Sequence, residues 1–274
     1  MRILLPPSEG KTPADPNCAP IRLDNLVYPR LTDKRLAVGE ALQEASGQPD
    51  ALTVLSVGPR LVDDVVRNCT LWKQPAAPAR DIYTGVLYAG AALHTSPARQ
   101  RAWADKHILI SSALWGWVRP GDRIPAYRCS MGVNLPGIGS LGPYWRRTLN
   151  RFFTEEMAGE LVVDCRSGAY QKAWMPTAKD CHDHNIDLVQ VKAVRVVNGR
   201  EKVVSHNAKR WRGLLTRALV AAGAEGLTID NPGDLVTTQQ TLFSYIRDAL
   251  AEERLNTARL SGGDGRWTLT LVTE

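Results

Sequence analysis

Short runs of consecutive apolar residues occur along the whole chain, and each is bordered by proline, glycine or polar residues. Apolar runs of about four to eight residues with such borders are typical of buried β-strands. The runs predict strands at residues 2–5, 51–57, 107–111, 161–164 and 186–191. No internal repeat or low-complexity linker separates one run from the next.

Other segments place an apolar residue at every third or fourth position, which is the period of an amphipathic α-helix. They predict helices at residues 31–45, 60–69, 96–106, 144–159, 207–222 and 234–254. Two hairpins are expected, one over residues 195–204 with its turn at Asn198-Gly199, and a final one that turns at residues 262–265. We therefore expect one mixed α/β domain over residues 1–274, with a mixed sheet flanked by helices.

The composition is that of an ordinary globular protein, with 44% hydrophobic and 23% charged residues. No stretch approaches the roughly 18 apolar residues that span a bilayer, and residues 1–7 form too short an apolar run for a secretory signal. The five cysteines are scattered without a C-x-x-C pair, as expected of reduced thiols in a cytoplasm. We predict a cytoplasmic protein that has no membrane segment, no disulfide framework and no cofactor.

The positive charge is concentrated in the middle of the chain, where residues 119–217 carry 17 Lys and Arg against 9 Asp and Glu. Arginine outnumbers lysine by 25 to 9 in the whole sequence. The planar guanidinium pairs with phosphates and stacks on bases, so this bias favours a polyanionic partner. High genomic GC content enriches arginine as well, and composition alone leaves both explanations open.

Two motifs at strand ends are similar to phosphate-binding loops but are incomplete. The Gly-Lys-Thr triplet at residues 10–12 matches the end of a P-loop, whose first glycine would fall at Leu5, inside the strand. The Cys-Arg-Ser-Gly segment at residues 165–168 resembles a phosphatase loop, which needs an arginine where Gln171 stands. Their strand-end position remains informative, because ligands of α/β sheets bind beyond the carboxyl ends of strands.

Residues 181–184 read Cys-His-Asp-His and offer zinc-type ligands. Adjacent residues rarely converge on one ion, and the sequence has no second pair at metal-ligand spacing. A solvated polar loop is the favoured interpretation, and we predict no metal site.

Two arginine-rich clusters contain aromatic residues. They comprise Arg119, Arg123 and Arg128 with Trp115, Trp117 and Tyr127, and Lys209, Arg210, Arg212 and Arg217 with Trp211. Arginines interleaved with aromatics suit phosphate contacts combined with base stacking. The alternative, that the tryptophans belong to the core and the arginines coat the surface, stays open from these residues alone.

Several blocks of residues stand in a fixed order along the chain. They are I-L-L-P-P-S-E-G-K-T at 3–12, D-I-Y-T-G at 81–85, L-x-G-x-x-R-P-x-D at 114–122 with Y-R-x-x-M-G at 127–132, Trp145, S-x-x-Y-x-K at 167–172, and S-x-x-A-K-x-x-R-G-x-x-x-R at 205–217. In these blocks the chain resembles the YaaA family of peroxide-stress proteins, over nearly all of its length.

The resemblance implies an α/β domain of unusual topology with a positively charged cleft and a helix-hairpin-helix element. It also implies binding to double-stranded DNA and a role in limiting iron-driven damage during peroxide stress. We place the hairpin of the helix-hairpin-helix element at residues 115–122. Ser130 and Ala169 depart from the family pattern, since acidic residues are expected at both positions.

We therefore predict a peroxide-stress protein that binds duplex DNA through a basic cleft. Phosphate contacts are assigned to Lys11, Arg119, Arg128, Lys172, Lys209, Arg212 and Arg217, and further cleft positions to Thr12, Thr84, Ser167 and Tyr170. Trp115 and Tyr127 are the candidates for stacking on a base or wedging between bases.

The alternative function is that of an enzyme, because the same polar cleft suits a nucleotide, a nucleobase or a damaged base. Asp122, Tyr83 and Tyr127 are the candidates for proton transfer in that case. A third hypothesis, iron binding by residues 181–184, ranks below both.

Overall fold

A computed structural model describes residues 1–197, 200–202, 205–250 and 255–273. The strands are β1 Arg2–Leu5, β2 Ala77–Pro78, β3 Ile108–Ser112, β4 Gly116–Val118, β5 Arg123–Ile124, β6 Asn134–Leu135, β7 Gly139–Ser140, β8 Leu161–Asp164, β9 Asp187–Val197, β10 Arg200–Lys202, β11 Leu255–Gly263 and β12 Arg266–Thr273. The α-helices are α1 Thr32–Ser46, α2 Ala51–Val54, α3 Val62–Asn68, α4 Ala79–Ile82, α5 Val86–Ala91, α6 Ala98–His107, α7 Leu141–Glu156, α8 Gly168–Gln171, α9 Ala178–Asp183, α10 Ser205–Ala224, α11 Asp234–Thr237 and α12 Gln239–Ser244. Short 3₁₀ helices lie at Leu23–Asn25, Pro29–Leu31, Pro59–Leu61, Leu71–Lys73 and Arg247–Leu250.

The main sheet has the strand order β11-β12-β9-β8-β1-β3-β4, and β10 pairs with β9 outside this path. Strands β12, β9, β8, β1 and β3 run parallel to one another, whereas β11, β4 and β10 are antiparallel to their neighbours. Every residue of β3 and β8 is buried, which is why each strand begins with three consecutive apolar residues. The predicted fold class, a mixed sheet with helices around it, is confirmed.

Parallel pairing brings the carboxyl ends of three strands to one edge of the sheet. Strand β1 lies between β8 and β3, with Leu4 opposite both Asp164 and Leu109. The loops that leave β1 and β8 therefore begin side by side. One of them contains the Ser8–Lys11 segment and the other contains Ser167.

Helix α10 contacts β9 and packs against the short helix α5. The α10–α5 contact brings backbone against backbone, because glycines face each other. A Cβ atom at Gly213 would lie 2.1 Å from the carbonyl oxygen of Leu87, and one at Gly90 would lie 2.9 Å from that of Arg210. The glycines thus set how closely α10 approaches α5.

The strand prediction at residues 51–57 is wrong. Helix α2 begins at Ala51, and Ala51 and Leu55 are buried one helical turn apart, while Thr53 between them is exposed. A short apolar run does not distinguish a buried strand from one turn of a buried helix.

The single helix expected at residues 234–254 is also wrong, because α11 and α12 are separate and a 3₁₀ helix follows them. Thr238, at φ −97° and ψ 7°, interrupts the helix, and its hydroxyl donates to the carbonyl oxygen of Asp234 at 2.6 Å. Hydroxyl groups that bond to nearby backbone compete with a regular helix in this way. Residues 251–254 lie outside the described ranges.

The hairpin expected at residues 195–204 is present in its strands, since Arg195 lies opposite Lys202 and Val197 opposite Arg200. Its turn at residues 198–199 lies outside the described residues, as do residues 203–204. The hairpin at the end of the chain is confirmed by the pairing of β11 with β12. In the ranges that the structure describes, no helix is both long and apolar enough to cross a bilayer.

Gly213→Ala should lower the free energy of unfolding by about 1–3 kcal/mol, because the added methyl group overlaps the Leu87 carbonyl oxygen and helix α10 must shift. Urea denaturation would show a lower midpoint at unchanged slope. Gly58→Ala is the matched control, since Gly58 has φ −79° and open space around it, so its change should stay within about 0.5 kcal/mol. Equal midpoints for the two variants would contradict the α10–α5 contact.

Candidate functional site

A cavity of about 310 Å³ opens where the loops after β1 and β8 meet helix α10 and the start of α5. We call it the strand-end pocket. Its polar lining includes Ser8, Glu9, Thr84, Ser167, Tyr170, Lys209 and Arg212. The pocket lies beyond the carboxyl ends of β1 and β8, where α/β sheets hold their ligands.

The loop after β1 is fastened to the segment before α5. The Ser8 hydroxyl accepts a hydrogen bond from the Thr84 backbone N–H at 2.9 Å and donates to the carbonyl oxygen of Gly10. Lys11 forms a β-bridge with Tyr83, and the Thr12 N–H donates to the Ile82 carbonyl oxygen at 2.9 Å. These bonds fix the backbone on one side of the strand-end pocket.

Lys11 is half-buried beside two tyrosine rings. Its Nζ donates to the carbonyl oxygens of Ser8 at 2.8 Å and Glu9 at 3.4 Å, and lies 4.2 Å from the centroid of the Tyr127 ring and 5.6 Å from that of Tyr83. The pKa of Lys11 is lowered to about 8, chiefly by burial; the Glu9 carboxylate opposes this shift and the Arg128 guanidinium adds to it. The side chain is thus an amine that titrates near neutral pH.

Arg128 is positioned by a buried asparagine. The Asn68 side chain accepts from the Arg128 N–H and donates to the Arg128 carbonyl oxygen, both at 2.9 Å. The guanidinium donates to the Glu9 carbonyl oxygen at 3.1 Å and lies 3.4 Å from the Glu9 carboxylate. Arg128 therefore forms an ion pair with Glu9. Among the described residues, no carboxylate lies at ion-pair distance from Lys11.

A chain of hydroxyl groups runs from strand β3 to the site. Ser112 Oγ accepts from the backbone N–H groups of Leu114 at 3.2 Å and Trp115 at 2.9 Å, so it donates its own proton to Tyr127 Oη at 2.7 Å. Tyr127 then donates to Tyr83 Oη at 3.0 Å. Because burial raises the pKa of both tyrosines, both stay protonated, and the chain ends at Tyr83, which lines a second cavity beside Thr12.

A buried ion pair organises the loop after β8. The Asp164 carboxylate accepts from Arg166 Nε at 2.8 Å and Nη2 at 3.0 Å, and both side chains are fully buried. Arg166 also donates to the carbonyl oxygens of Tyr170 at 3.3 Å and Trp174 at 2.9 Å. The pair holds the turn that carries Ser167 and Tyr170 into the strand-end pocket.

Helix α10 supplies two cations to the pocket. Arg212 donates through Nε and Nη2 to the Val191 carbonyl oxygen at 3.1 Å and 3.0 Å, which fixes the guanidinium against β9. Lys209, one turn earlier on the helix, is exposed at the pocket mouth. One cation is therefore fixed and the other is free to follow a ligand.

A family model described as peroxide stress protein YaaA matches residues 1–247. The chain belongs to the peroxide stress protein YaaA family. A UPF0246 protein of Streptomyces coelicolor is 40% identical over 245 residues, covering 88% of this chain and 90% of the relative. UPF0246 proteins of Corynebacterium efficiens and Bordetella pertussis are 39% and 30% identical over 239 and 230 residues, covering 86% and 76% of this chain and 91% and 84% of the relatives. The family recognised in the sequence blocks is confirmed.

In this YaaA-family chain, many of the predicted site residues come together. The strand-end pocket and the side chains around it gather Lys11, Tyr83, Thr84, Tyr127, Arg128, Ser167, Tyr170, Lys209 and Arg212. Thr12 lines an adjoining cavity of about 260 Å³, together with Tyr83. The two cavities share Thr84 and Tyr88, so they meet at the segment that Ser8 fastens.

Other predicted site residues lie elsewhere. Arg119 and Asp122 line a separate cavity beside Asn25–Arg30, and Arg217 lines another between α5 and α10. Asp122 closes the 119–122 turn, since its Oδ2 accepts from the N–H groups of Val27 at 3.0 Å and Arg119 at 2.9 Å, and burial raises its pKa. Lys172, just after α8, is exposed and lines none of these cavities.

Two interpretations of the 115–122 segment are wrong. Trp115 is completely buried and so is not accessible for stacking on a base or wedging between bases, and Tyr127 is buried as well. The hairpin of a helix-hairpin-helix element is not formed there, because β3 precedes the segment and β4 lies within it. The tryptophans of the first aromatic cluster are core residues.

Residues 181–184 do not form the loop that we expected, because residues up to Asp183 belong to α9, whose start is capped by Thr177. Cys181 points into the core, while the His182 side chain is largely exposed. Among the described residues, no three His, Cys, Asp or Glu side chains are grouped closely enough to hold a metal ion.

Sequence reasoning missed Ser8, Asn68, Ser112 and the Asp164–Arg166 pair. The sequence could have indicated this pair, because an Asp-x-Arg segment at the end of an apolar strand brings two opposite charges close together at the edge of the sheet. Asn68 and Ser112 gave no such signal, because each acts on residues distant in sequence.

Tyr127→Phe should destabilise the protein by about 1–3 kcal/mol, because it leaves the buried Ser112 hydroxyl without its acceptor and Tyr83 without its donor. Tyr83→Phe removes only the last bond of the chain and should cost about 1 kcal/mol. Urea denaturation of both variants measures the difference. A larger loss for Tyr83→Phe would contradict the central position of Tyr127 in the hydroxyl chain.

Asp164→Asn should lower the free energy of unfolding by about 3–5 kcal/mol, because it strands the buried Arg166 charge. Asp64→Asn, which breaks the partly exposed pair with Arg67, should cost at most about 1 kcal/mol. Chemical denaturation compares the two. Equal losses would show that the buried pair does not organise the loop.

Proposed function

We propose that this YaaA-family protein acts in the cytoplasm by binding DNA during peroxide stress, and that it holds one unpaired nucleotide of the strand in the strand-end pocket. Binding at such sites would limit the iron-driven damage that accompanies peroxide stress. The observation that carries the proposal is the convergence of Arg212, Lys209 and the two strand-end loops on a single small cavity.

The size of the pocket selects one nucleotide. A cavity of about 310 Å³ falls at the lower end of the range for small-molecule sites, roughly 300–1,000 Å³. A duplex, whose major groove alone is about 12 Å wide, rests outside such a cavity. An extruded or unpaired nucleotide fits it, as in proteins that flip bases out of the stack.

The chemistry of the lining suits a phosphate linked to a sugar or base. Lys209 and Arg212 supply positive charge at the α10 side, and a guanidinium pairs well with phosphate oxygens. Thr84 and Ser167 supply hydroxyl groups on the opposite loops. Tyr88 and Tyr170 add aromatic surface to the same wall.

Arg119 and Arg217 keep a role in this proposal as contacts to flanking phosphates. Both line cavities apart from the strand-end pocket, and both side chains have solvent access. Phosphate contacts far from the bound nucleotide position the strand without reading it. They therefore matter for a long oligonucleotide and not for a mononucleotide.

An enzyme acting on the bound nucleotide is the second candidate. It is favoured by Lys11, whose pKa burial lowers to about 8, and by the Tyr83 hydroxyl at the end of the donor chain. The Lys11 amine contacts the carbonyl oxygens of two pocket-wall residues, and Tyr83 lines the adjoining cavity. Groups with shifted pKa values near a cavity are typical of catalytic sites.

Fluorescence anisotropy with labelled oligonucleotides tests the proposal. We expect a duplex with one unpaired nucleotide to bind more tightly than the fully paired duplex, with affinity that falls as salt rises, by a log–log slope of about 0.9 per neutralised phosphate. Lys209→Ala should weaken binding and reduce that slope by about 1, whereas Arg151→Ala on the exposed face of α7 should change neither.

A mononucleotide competitor separates the pocket from the flanking surface. Arg119→Ala and Arg217→Ala should weaken binding of the long oligonucleotide and leave mononucleotide binding unchanged. Affinity that is independent of salt, or equal affinity for paired and unpaired DNA, would contradict the proposal.

A further inference from the structure

The Lys11 amine is held in surroundings that differ from those of a surface lysine. Its hydrogen bonds go to the carbonyl oxygens of Ser8 and Glu9, both residues of the strand-end pocket wall. The Glu9 carboxylate, whose effect on the Lys11 pKa exceeds that of the other nearby acid, Asp64, is engaged by the Arg128 guanidinium. The Tyr127 ring covers one side of the amine at 4.2 Å.

These surroundings make the amine a nucleophile. With the pKa near 8, roughly a quarter of Lys11 side chains are neutral at about pH 7.5, against about one in a thousand for an ordinary lysine. A neutral lysine amine with lowered pKa attacks carbonyl carbons and forms imines. Phosphate binding alone would be served better by a fully charged side chain.

We propose that Lys11 condenses with the aldehyde of an abasic site in DNA and cleaves the strand by β-elimination. The inference rests on the proposed function, because the abasic sugar must enter the strand-end pocket as the unpaired unit. An abasic residue lacks its base, so it is smaller than a nucleotide and leaves the stack at low cost.

The bonds balance without an oxidant or a reductant. Lys11 Nζ attacks C1′ of the ring-opened sugar, and the carbonyl oxygen leaves as water, giving a protonated imine. The Glu9 carboxylate takes the C2′ proton, and the electrons of that C–H bond expel the 3′ phosphate by breaking the C3′–O3′ bond. Water then hydrolyses the conjugated imine, which frees Lys11 and leaves an unsaturated aldehyde on one fragment and a 5′ phosphate on the other.

The hydroxyl chain supports the first step. Tyr83 lies beside Lys11 through their β-bridge and receives a hydrogen bond from Tyr127, so its own proton is available to the departing oxygen. Ser112, which accepts from two backbone N–H groups, keeps the chain directed toward Tyr83, and Tyr83 regains its proton from the one released when water hydrolyses the imine. Arg128 holds Glu9 at the pocket wall.

Borohydride trapping on a labelled duplex with one abasic site tests the inference. The reductant fixes the imine, and we expect a covalent adduct whose peptide map places the DNA on Lys11. Trapping should rise with pH and level off above about 8, because the neutral amine reacts. Lys11→Arg should lose at least ten-fold in adduct while keeping its charge, and the exposed Lys34→Arg should form as much adduct as the wild type.

Binding and trapping are measured on the same DNA, so their failures are distinguishable. Binding without any adduct, or an adduct mapped to another amine such as the Met1 amino group, would overturn the inference and leave the proposed function standing. Absence of binding would overturn both. The peptide map of the wild-type adduct decides the matter even if Lys11→Arg fails to fold.

Discussion

The parallel pairing of β1 with β8 is the contact on which the site depends. Because Leu4 lies opposite Asp164, the two strands end at the same edge of the sheet, and the loops that leave them begin side by side. One loop carries Ser8 and the other carries Arg166. A shift of the register by one residue would turn Asp164 to the other face of the sheet. The buried ion pair of Asp164 with Arg166 would then be lost. The turn that carries Ser167 into the pocket would be lost as well.

Charges near this sheet edge are kept by backbone carbonyl groups more than by opposite charges. Arg35 is completely buried and donates to the carbonyl oxygens of Val27, Trp115 and Trp117. Lys11 and Arg212 follow the same pattern, through Ser8 and through Val191. Carbonyl partners satisfy the donors of Arg35 and Arg212 without pairing either guanidinium with a carboxylate in the described part of the chain.

The sequence predicted β1, β3 and β8 because each contains three consecutive apolar residues that are buried in the sheet. The sequence did not show which of the cations of helix α10 line the same cavity, because they lie close together along the chain. Lys209 and Arg212 differ by about 60° around the helix and share the pocket, whereas Arg217 is rotated about 140° from Arg212 and faces another cavity. The hydroxyl chain could not be predicted from the sequence, because its direction depends on which backbone N–H groups donate to Ser112.

Lys11 and the arginines cannot serve the same purpose in one pocket. A lysine kept partly neutral is a weak phosphate ligand, and a phosphate held against it would raise its pKa and remove its reactivity. Guanidinium groups keep their charge at every physiological pH, so phosphate belongs at Arg212 on the α10 side. In the proposed complex, the sugar carbon between that phosphate and the loop after β1 would be the part of the strand nearest the amine, which is why we assign an aldehyde carbon, and not a phosphate, to Lys11.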